Sequence, residues 1–197
     1  MIQNLLIIGA GIYGLVAKEI AESMGCFLRI DFVDDSAKET PDGTSVVGTT
    51  NDLPELSKRY ANVVIAIGNP DVRQKLIRFI EDETLLRLVT LVSPRAYVSP
   101  SAQIGKGCII EPMAVVHTGC VLGKGCLICA GAVIDADARC GDCINVGCNA
   151  TITKDTTVLN RTLASDGVVY QKVKPHGPIP FDGKEYRLKM VCNAFAR

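Results

Sequence analysis

The chain has 197 residues, of which 48% are apolar and 5% aromatic, with no Trp. This length suits one large domain or two small ones, with a core built from Val, Ile, Leu and Ala. The 21 basic and 21 acidic side chains cancel, which argues against nucleic acid or an anionic membrane as a partner, and no apolar run approaches the ~20 residues of a membrane span.

The N-terminal stretch MIQNLLIIGAGIYG has no basic leader and leads directly into a glycine motif. We therefore expect no signal peptide and a cytoplasmic location. In that compartment the nine cysteines are expected to be reduced.

Residues 1–93 alternate between strand and helix patterns. The strand candidates are LLIIGAG, FLRIDFVDD and NVVIAIGNP, and the helix candidates are IYGLVAKEIAESMG, LPELSKRY and DVRQKLIRFIED. This order predicts a small Rossmann-like βαβ domain with a parallel sheet. The segment is about half the size of a full dinucleotide-binding domain.

A glycine motif, Gly9-Ala10-Gly11-Ile12-Tyr13-Gly14, follows the first strand and opens the first helix. Asp34 and Asp35 end the second strand. Glycines let a phosphate or sugar approach the backbone, and acidic side chains bind hydroxyls or a base edge. The motif predicts a nucleotide site; the alternative is a tight turn without a ligand.

From about residue 94 the apolar pattern has a period of six. The apolar positions are Val98, Ile104, Ile110, Val116, Leu122, Ile128, Ile134, Cys140, Val146, Ile152 and Val158. Small residues precede most of them by two positions, and Ile104-Gly105-Lys106-Gly107 returns as Leu122-Gly123-Lys124-Gly125. This period predicts an all-β, left-handed parallel β-helix of hexapeptide repeats over residues 94–170.

The unbroken register ends near Val158, which predicts a shortened β-helix. A closing strand is expected after it, and a tail over residues 171–197 is expected to hold a Pro-rich loop and a short helix.

The stretch CLICAGAVIDADARCGDC, from Cys126 to Cys143, contains two Cys-x-x-Cys pairs. Cys126 occupies a small position of the repeat and Cys140 an inward apolar position, so both are expected to be buried as small hydrophobes. The spacer is shorter than that of a zinc ribbon. We therefore expect no metal site, with zinc or redox chemistry as the alternative.

A small nucleotide-fold domain followed by hexapeptide coils resembles the bacterial sialic-acid O-acetyltransferase and nucleotide-sugar N-acetyltransferase family (the NeuD type). The resemblance extends to about residue 158. It is carried by IIGAGIYG, FVDD, VVGTTNDLPEL, VVIAIGNPDVRQKL and VSPSAQIGKG, including Arg73 four residues after Asn69.

The resemblance implies a homotrimer with acetyl-CoA, the co-substrate, in the groove between neighbouring β-helices. A nucleotide sugar in surface-glycan biosynthesis would be the second substrate, held by the N-terminal domain. The substrate contacts it implies are Gly9, Gly11, Tyr13, Asp34, Asp35, Gly68 and Asn69. The reaction would need a general base and donors for an oxyanion.

The sequence departs from the family at the base. Members carry a His between two acids, whereas this chain has Asp135-Ala136-Asp137. His117 lies one coil before Asp135 and is the candidate for a relocated base, the alternative being an ordinary exposed corner residue. Asp135 and Asp137 are further candidates, and His176 lies in the tail.

Two functions are compatible with these features. The first is an acyltransferase with an atypical active site; the second is a non-catalytic trimeric scaffold that binds a nucleotide or sugar. A β-helical carbonic anhydrase is set aside because it requires three metal-binding histidines and the chain has two.

Overall fold

The computed structural model describes residues 4–171. His176 and almost all of the predicted tail lie outside the described residues. Within residues 4–171 two parts follow each other, an α/β domain and a three-walled β-prism. No helix of the described part has the length and apolarity needed to cross a bilayer.

The α/β domain has one parallel sheet in the order β2-β1-β3-β4. Its strands are β1 (Asn4–Ile8), β2 (Arg29–Val33), β3 (Asn62–Ile65) and β4 (Arg87–Leu88), and its helices are α1 (Ile12–Met24), α2 (Leu53–Leu56) and α3 (Pro70–Glu83), with a 3₁₀ turn at Thr50–Asp52. The predicted Rossmann-like parallel sheet is therefore confirmed.

Local sequence signals set the helix ends. Gly25 ends α1 in the left-handed conformation, with φ 64°, and its N–H donates to the Glu22 carbonyl. Asn69 caps α3 by accepting hydrogen bonds from two first-turn amides, and Pro70 occupies the first helical position, where no N–H is needed.

The prism contains fourteen two-residue strands, β5 to β18. Wall 1 holds β5 (Leu91–Val92), β8 (Ile109–Ile110), β11 (Leu127–Ile128), β14 (Asn145–Val146) and β17 (Leu163–Ala164). Wall 2 holds β6 (Tyr97–Val98), β9 (Val115–Val116), β12 (Val133–Ile134), β15 (Thr151–Ile152) and β18 (Val169–Tyr170). Wall 3 holds β7 (Gln103–Ile104), β10 (Val121–Leu122), β13 (Arg139–Cys140) and β16 (Thr157–Val158). Each strand from β5 to β15 pairs in parallel with the strand 18 residues later, which is the arrangement of the predicted left-handed β-helix.

The apolar register ends near Val158, but the prism continues to Tyr170, so the expected shortening at Val158 was wrong. Strands β17 and β18 continue walls 1 and 2 beyond it and pair with β14 and β15. Their inward residues, Ala164 and Tyr170, are smaller and larger than the usual aliphatic residue, so the sequence period breaks while the backbone pairing continues.

The prism interior is a stack of small and aliphatic side chains, including Cys108, Cys120, Cys126 and Cys140, all 0% exposed. The predicted burial of Cys126 and Cys140 is confirmed. Burial raises the pKa of the Cys140 thiol well above its ordinary value, so it stays protonated. Seven cysteines among residues 4–171 are free thiols.

Polar side chains form a ladder at the corners of the prism. The Asp142 carboxylate accepts a hydrogen bond from the backbone amide of Lys124. In the same way, the side-chain carbonyl of Asn160 accepts from the Asp142 amide, and the Asp166 carboxylate accepts from the Cys148 amide. Donor and acceptor are 18 residues apart in each case. The ladder satisfies corner amides that the short strands leave unpaired.

The α/β domain packs on wall 1. The outward residues Leu91, Ile109 and Leu127 are buried in one core with α1. Helix α3 lies along the corner between walls 3 and 1, where Glu81 pairs with Lys124 at 2.8 Å and Asp71 with Arg161 at 2.9 Å.

Candidate functional site

The predicted substrate residues gather at one edge of the α/β sheet. Gly9–Gly11 follow β1, Asp34 and Asp35 follow β2, and Gly68 and Asn69 follow β3. Because the three strands are parallel neighbours, their carboxyl ends open into one crevice.

The three motif glycines serve different purposes. Gly9 has φ 110°, and a Cβ there would lie 2.7 Å from the Ala66 carbonyl oxygen. A Cβ on Gly14 would lie 2.0 Å from the Gly9 carbonyl oxygen. These two allow close backbone packing, whereas a Cβ on Gly11 would meet nothing within 4 Å. Gly11 therefore lies on the open side of the loop.

Both acidic side chains already have partners. Asp34 accepts from the amides of Ala10, Ser36 and Ala37 at 2.8–2.9 Å. Although burial opposes ionisation, these three bonds hold the pKa of Asp34 below its ordinary value. Asp35 accepts from the amide and hydroxyl of Thr50. Both carboxylates therefore fix the loops around the crevice.

The loop after β3, which contains Gly68 and Asn69, is also open. A Cβ on Gly68 would meet nothing within 4 Å, and Asn69 is exposed while its side chain caps α3. Gly11 and Gly68 thus face open space from neighbouring strands, which leaves room for a ligand at the crevice.

The Tyr13 side chain is directed away from the crevice. Its hydroxyl is buried beside Glu111 and Cys129 of the prism. Burial, together with the charge of Glu111, raises the pKa of Tyr13 well above its ordinary value. Burial likewise raises the pKa of Cys129 to about 12, so neither group ionises near neutral pH.

Arg73 and Asn145, absent from the predicted set, tie the crevice to the prism. Arg73 is 0% exposed and donates to carbonyls of both parts. Asn145 donates to the Gly68 carbonyl at 2.8 Å. A sequence signal for Asn145 exists: the outward positions of wall 1 are otherwise apolar, namely Leu91, Ile109, Leu127 and Leu163.

The predicted catalytic residues meet at another place, the corner between walls 2 and 3. His117 and Asp135 follow the paired strands β9 and β12 and therefore occupy stacked positions, about 4.8 Å apart along the sheet. Asp137, with φ 58°, covers Gly119 of the preceding coil. His117 is exposed, its ring edge-on to Tyr97 at a centroid distance of 6.4 Å.

Ala136 contributes only a methyl group to this corner. The neighbouring Asp135 carboxylate accepts from the Ala136 amide at 2.7 Å, and no hydrogen bond joins Asp135 to His117 within the described residues. The corner thus offers an imidazole and two carboxylates that are capable of proton transfer.

The two sets of residues are separated within one chain. The crevice lies over wall 1, and the corner between walls 2 and 3 is the one opposite that wall. Residues 4–171 contain no group of three His, Cys, Asp or Glu side chains arranged for a metal ion.

Two family models match the chain. Residues 4–80 match the PglD N-terminal domain, and residues 101–136 match the six-repeat hexapeptide region of bacterial transferases. Together they cover most of the α/β domain and the prism from β7 to β12.

One curated relative of this chain is UDP-N-acetylbacillosamine N-acetyltransferase of Bacillus subtilis, which is 31% identical over 114 residues, or 55% of this chain. The match covers about half (51%) of that relative's length.

Two solved structures are similar over most of the chain. The acetyltransferase domain of PglB from Neisseria gonorrhoeae, in complex with acetyl coenzyme A, is 29% identical with a TM-score of 0.77, covering 87% of this chain and 93% of that one. A mutant of perosamine N-acetyltransferase from Caulobacter crescentus, in complex with CoA and GDP-perosamine, is 27% identical with a TM-score of 0.77, covering 88% and 91%. In one chain, the α/β domain is thus similar to the PglD N-terminal domain, and the prism is similar to the hexapeptide repeats of bacterial transferases and to these acetyltransferase structures.

Proposed function

We propose that the protein transfers an acetyl group from acetyl-CoA to an amine or hydroxyl of a nucleotide-linked sugar in surface-glycan biosynthesis, in the cytoplasm. The observation that carries this proposal is structural similarity over most of the chain to relatives in complex with acetyl coenzyme A, or with CoA and GDP-perosamine.

The crevice of the α/β domain is the proposed nucleotide-sugar site. Gly11 and Gly68 leave space there, and Asp34 and Asp35 hold the surrounding loops. Loops at the carboxyl ends of parallel strands bind nucleotides in many α/β folds. Tyr13 contributes to this site through its backbone, since its side chain packs against the prism.

The proposed acetyl-CoA site is the groove beside the corner that holds His117, Asp135 and Asp137. Because this corner faces away from the crevice of its own chain, a complete site requires the crevice of a neighbouring copy. A homotrimer provides such a neighbour for every chain.

His117 is the proposed general base. As the acceptor nitrogen or oxygen attacks the thioester carbonyl carbon, its proton passes to the imidazole; the tetrahedral intermediate then expels CoA thiolate, which receives that proton. Asp135, in the stacked position, stabilises the imidazolium, and Asp137 adds negative charge at the same corner.

A second candidate function is that of a non-catalytic trimeric scaffold that binds the nucleotide sugar. Ala136, which has no group able to accept a proton, favours it. Histidine-to-asparagine and histidine-to-alanine variants of the Caulobacter relative are in complex with both CoA and GDP-perosamine, so loss of a histidine in that relative is compatible with binding of both ligands.

Turnover of acetyl-CoA with a panel of UDP- and GDP-linked amino and hydroxy sugars tests the two candidates. Release of CoA that depends on the sugar, and that falls ~100-fold or more in His117→Ala but not in the neighbouring Thr118→Ala, supports the enzyme with a relocated base. Binding of a nucleotide sugar without turnover supports the scaffold. Absence of both contradicts both.

A further inference from the structure

The guanidinium of Arg73 is fully buried between the crevice and the prism. On the crevice side it donates to the carbonyls of Ile67 and Gly68, at 2.8 and 2.9 Å. On the prism side it donates to the carbonyls of Gly125 and Cys143, at 2.9 and 2.8 Å, and to the Asn145 side-chain carbonyl. All of these acceptors are neutral.

Asn145 completes the connection. Its side-chain carbonyl accepts from Arg73, and its amide donates to the Gly68 carbonyl at 2.8 Å. The Gly68 carbonyl therefore has two donors, one from each residue, and both lie on the prism side of the loop.

These bonds fix the direction of two consecutive amides. In a trans peptide the C=O and the following N–H point in opposite directions. Because the Ile67 and Gly68 carbonyls point towards the prism, the amides of Gly68 and Asn69 point towards the crevice. Neither amide has a hydrogen-bond partner within residues 4–171.

Glycine makes this restraint necessary. Gly68 has no Cβ, so its flanking peptides rotate at little intrinsic cost. The orientation of the two amides thus depends on the bonds from Arg73 and Asn145 rather than on local backbone preference.

We propose that Arg73 and Asn145 are positioning residues that hold the Gly68 and Asn69 amides in place to bind the diphosphate of the nucleotide sugar. The inference rests on the proposed function and adds to it a second phosphate-binding element, opposite the glycine loop after β1. Successive free backbone amides bind phosphate oxygens.

The charge of Arg73 acts in the same direction. Its hydrogen-bond partners include no carboxylate, and Asp71 nearby on α3 pairs with Arg161 instead. An anion above the Gly68 loop therefore benefits from an unneutralised positive charge directly beneath the loop.

Isothermal titration calorimetry of the full chain with UDP and GDP, and with uridine and guanosine, tests this inference. UDP or GDP, whichever the wild type binds, is the ligand for this measurement. We expect Asn145→Ala to raise its Kd about tenfold, because the variant loses one hydrogen bond that holds the loop. The Kd of the matching nucleoside should change less than about twofold, because the amides contact only phosphate.

Thr157→Ala is the matched control, since Thr157 opens β16 on wall 3 as Asn145 opens β14 on wall 1. It should bind both ligands as the wild type does. Equal weakening of nucleoside and diphosphate in Asn145→Ala, or no weakening, overturns the inference and leaves the proposed function standing. If the wild type binds neither diphosphate, the proposed function fails, and the inference with it.

Discussion

At position 136 a methyl group stands between two carboxylates. The backbone there is not left-handed, and Ala136 is half-exposed, so a larger side chain can be accommodated. The resemblance noted from the sequence predicts a histidine at this place, and this chain keeps both flanking acids.

In the His117→Ala background, we expect Ala136→His to raise the rate of acetyl transfer by about 100-fold or more, the usual worth of a positioned general base. The rate is measured as CoA release at saturating acetyl-CoA and nucleotide sugar. Ala136→Asn is the control, since an amide of similar polarity takes no proton. Equal rates in the two variants would show that the side chain at position 136 is not close to the reacting atoms.

The sequence predicts the positions of some functional residues but not of others. The shared corner of His117, Asp135 and Asp137 follows from the 18-residue repeat, which converts sequence spacing into position. The contact between Asn145 and Gly68 joins residues 77 positions apart in two different folds. No local periodicity encodes such a pair, so only the docked domains reveal it.

At the scale of elements, the junction between β1 and α1 shows why a glycine motif is ambiguous. Gly14 serves packing and Gly11 faces the crevice, although both belong to one motif. The sequence supplies the spacing but not the direction in which each missing Cβ would point.

Gly14→Ala should destabilise the protein by more than ~2 kcal/mol, because its Cβ would overlap a backbone oxygen that cannot move aside. Gly11→Ala, with φ −82° and open space, should stay within about 0.5 kcal/mol of wild type. Urea denaturation followed by circular dichroism measures both. Similar losses in the two variants would contradict the assigned packing role of Gly14.

The strands of the prism were the most predictable elements, since each hexad obeys the same local rule. The apolar pattern ends where Ala164 and Tyr170 take the inward positions, although strand pairing continues. Strand pairing there depends on the backbone of the preceding coil, which a pattern of side-chain types does not record.

At the scale of the whole molecule, the crevice and the corner with His117 lie on opposite sides of the prism. We therefore expect a sugar held in the crevice of one chain to react at the corner of another. This separation is the structural argument for a site shared between copies.

Mixed oligomers test that argument. Gly11→Asp places a carboxylate in the crevice, and His117→Ala removes the base, so each variant alone should lose transfer activity. Co-expressed in equal amounts, they should recover about one quarter of the wild-type rate, since random assembly pairs an intact crevice with an intact corner at that frequency. No recovery would mean that each site belongs to one chain.

The corner ladder of Asp142, Asn160 and Asp166 constrains how this protein can change in length. Removing or duplicating one full turn of 18 residues keeps the spacing between donor and acceptor on which the ladder depends. An insertion of any other size inside the strands would move these side chains off their amides and turn inward residues towards solvent. Evolution and protein engineering can therefore lengthen or shorten the stack only in whole turns, and must place smaller changes in the exposed corners.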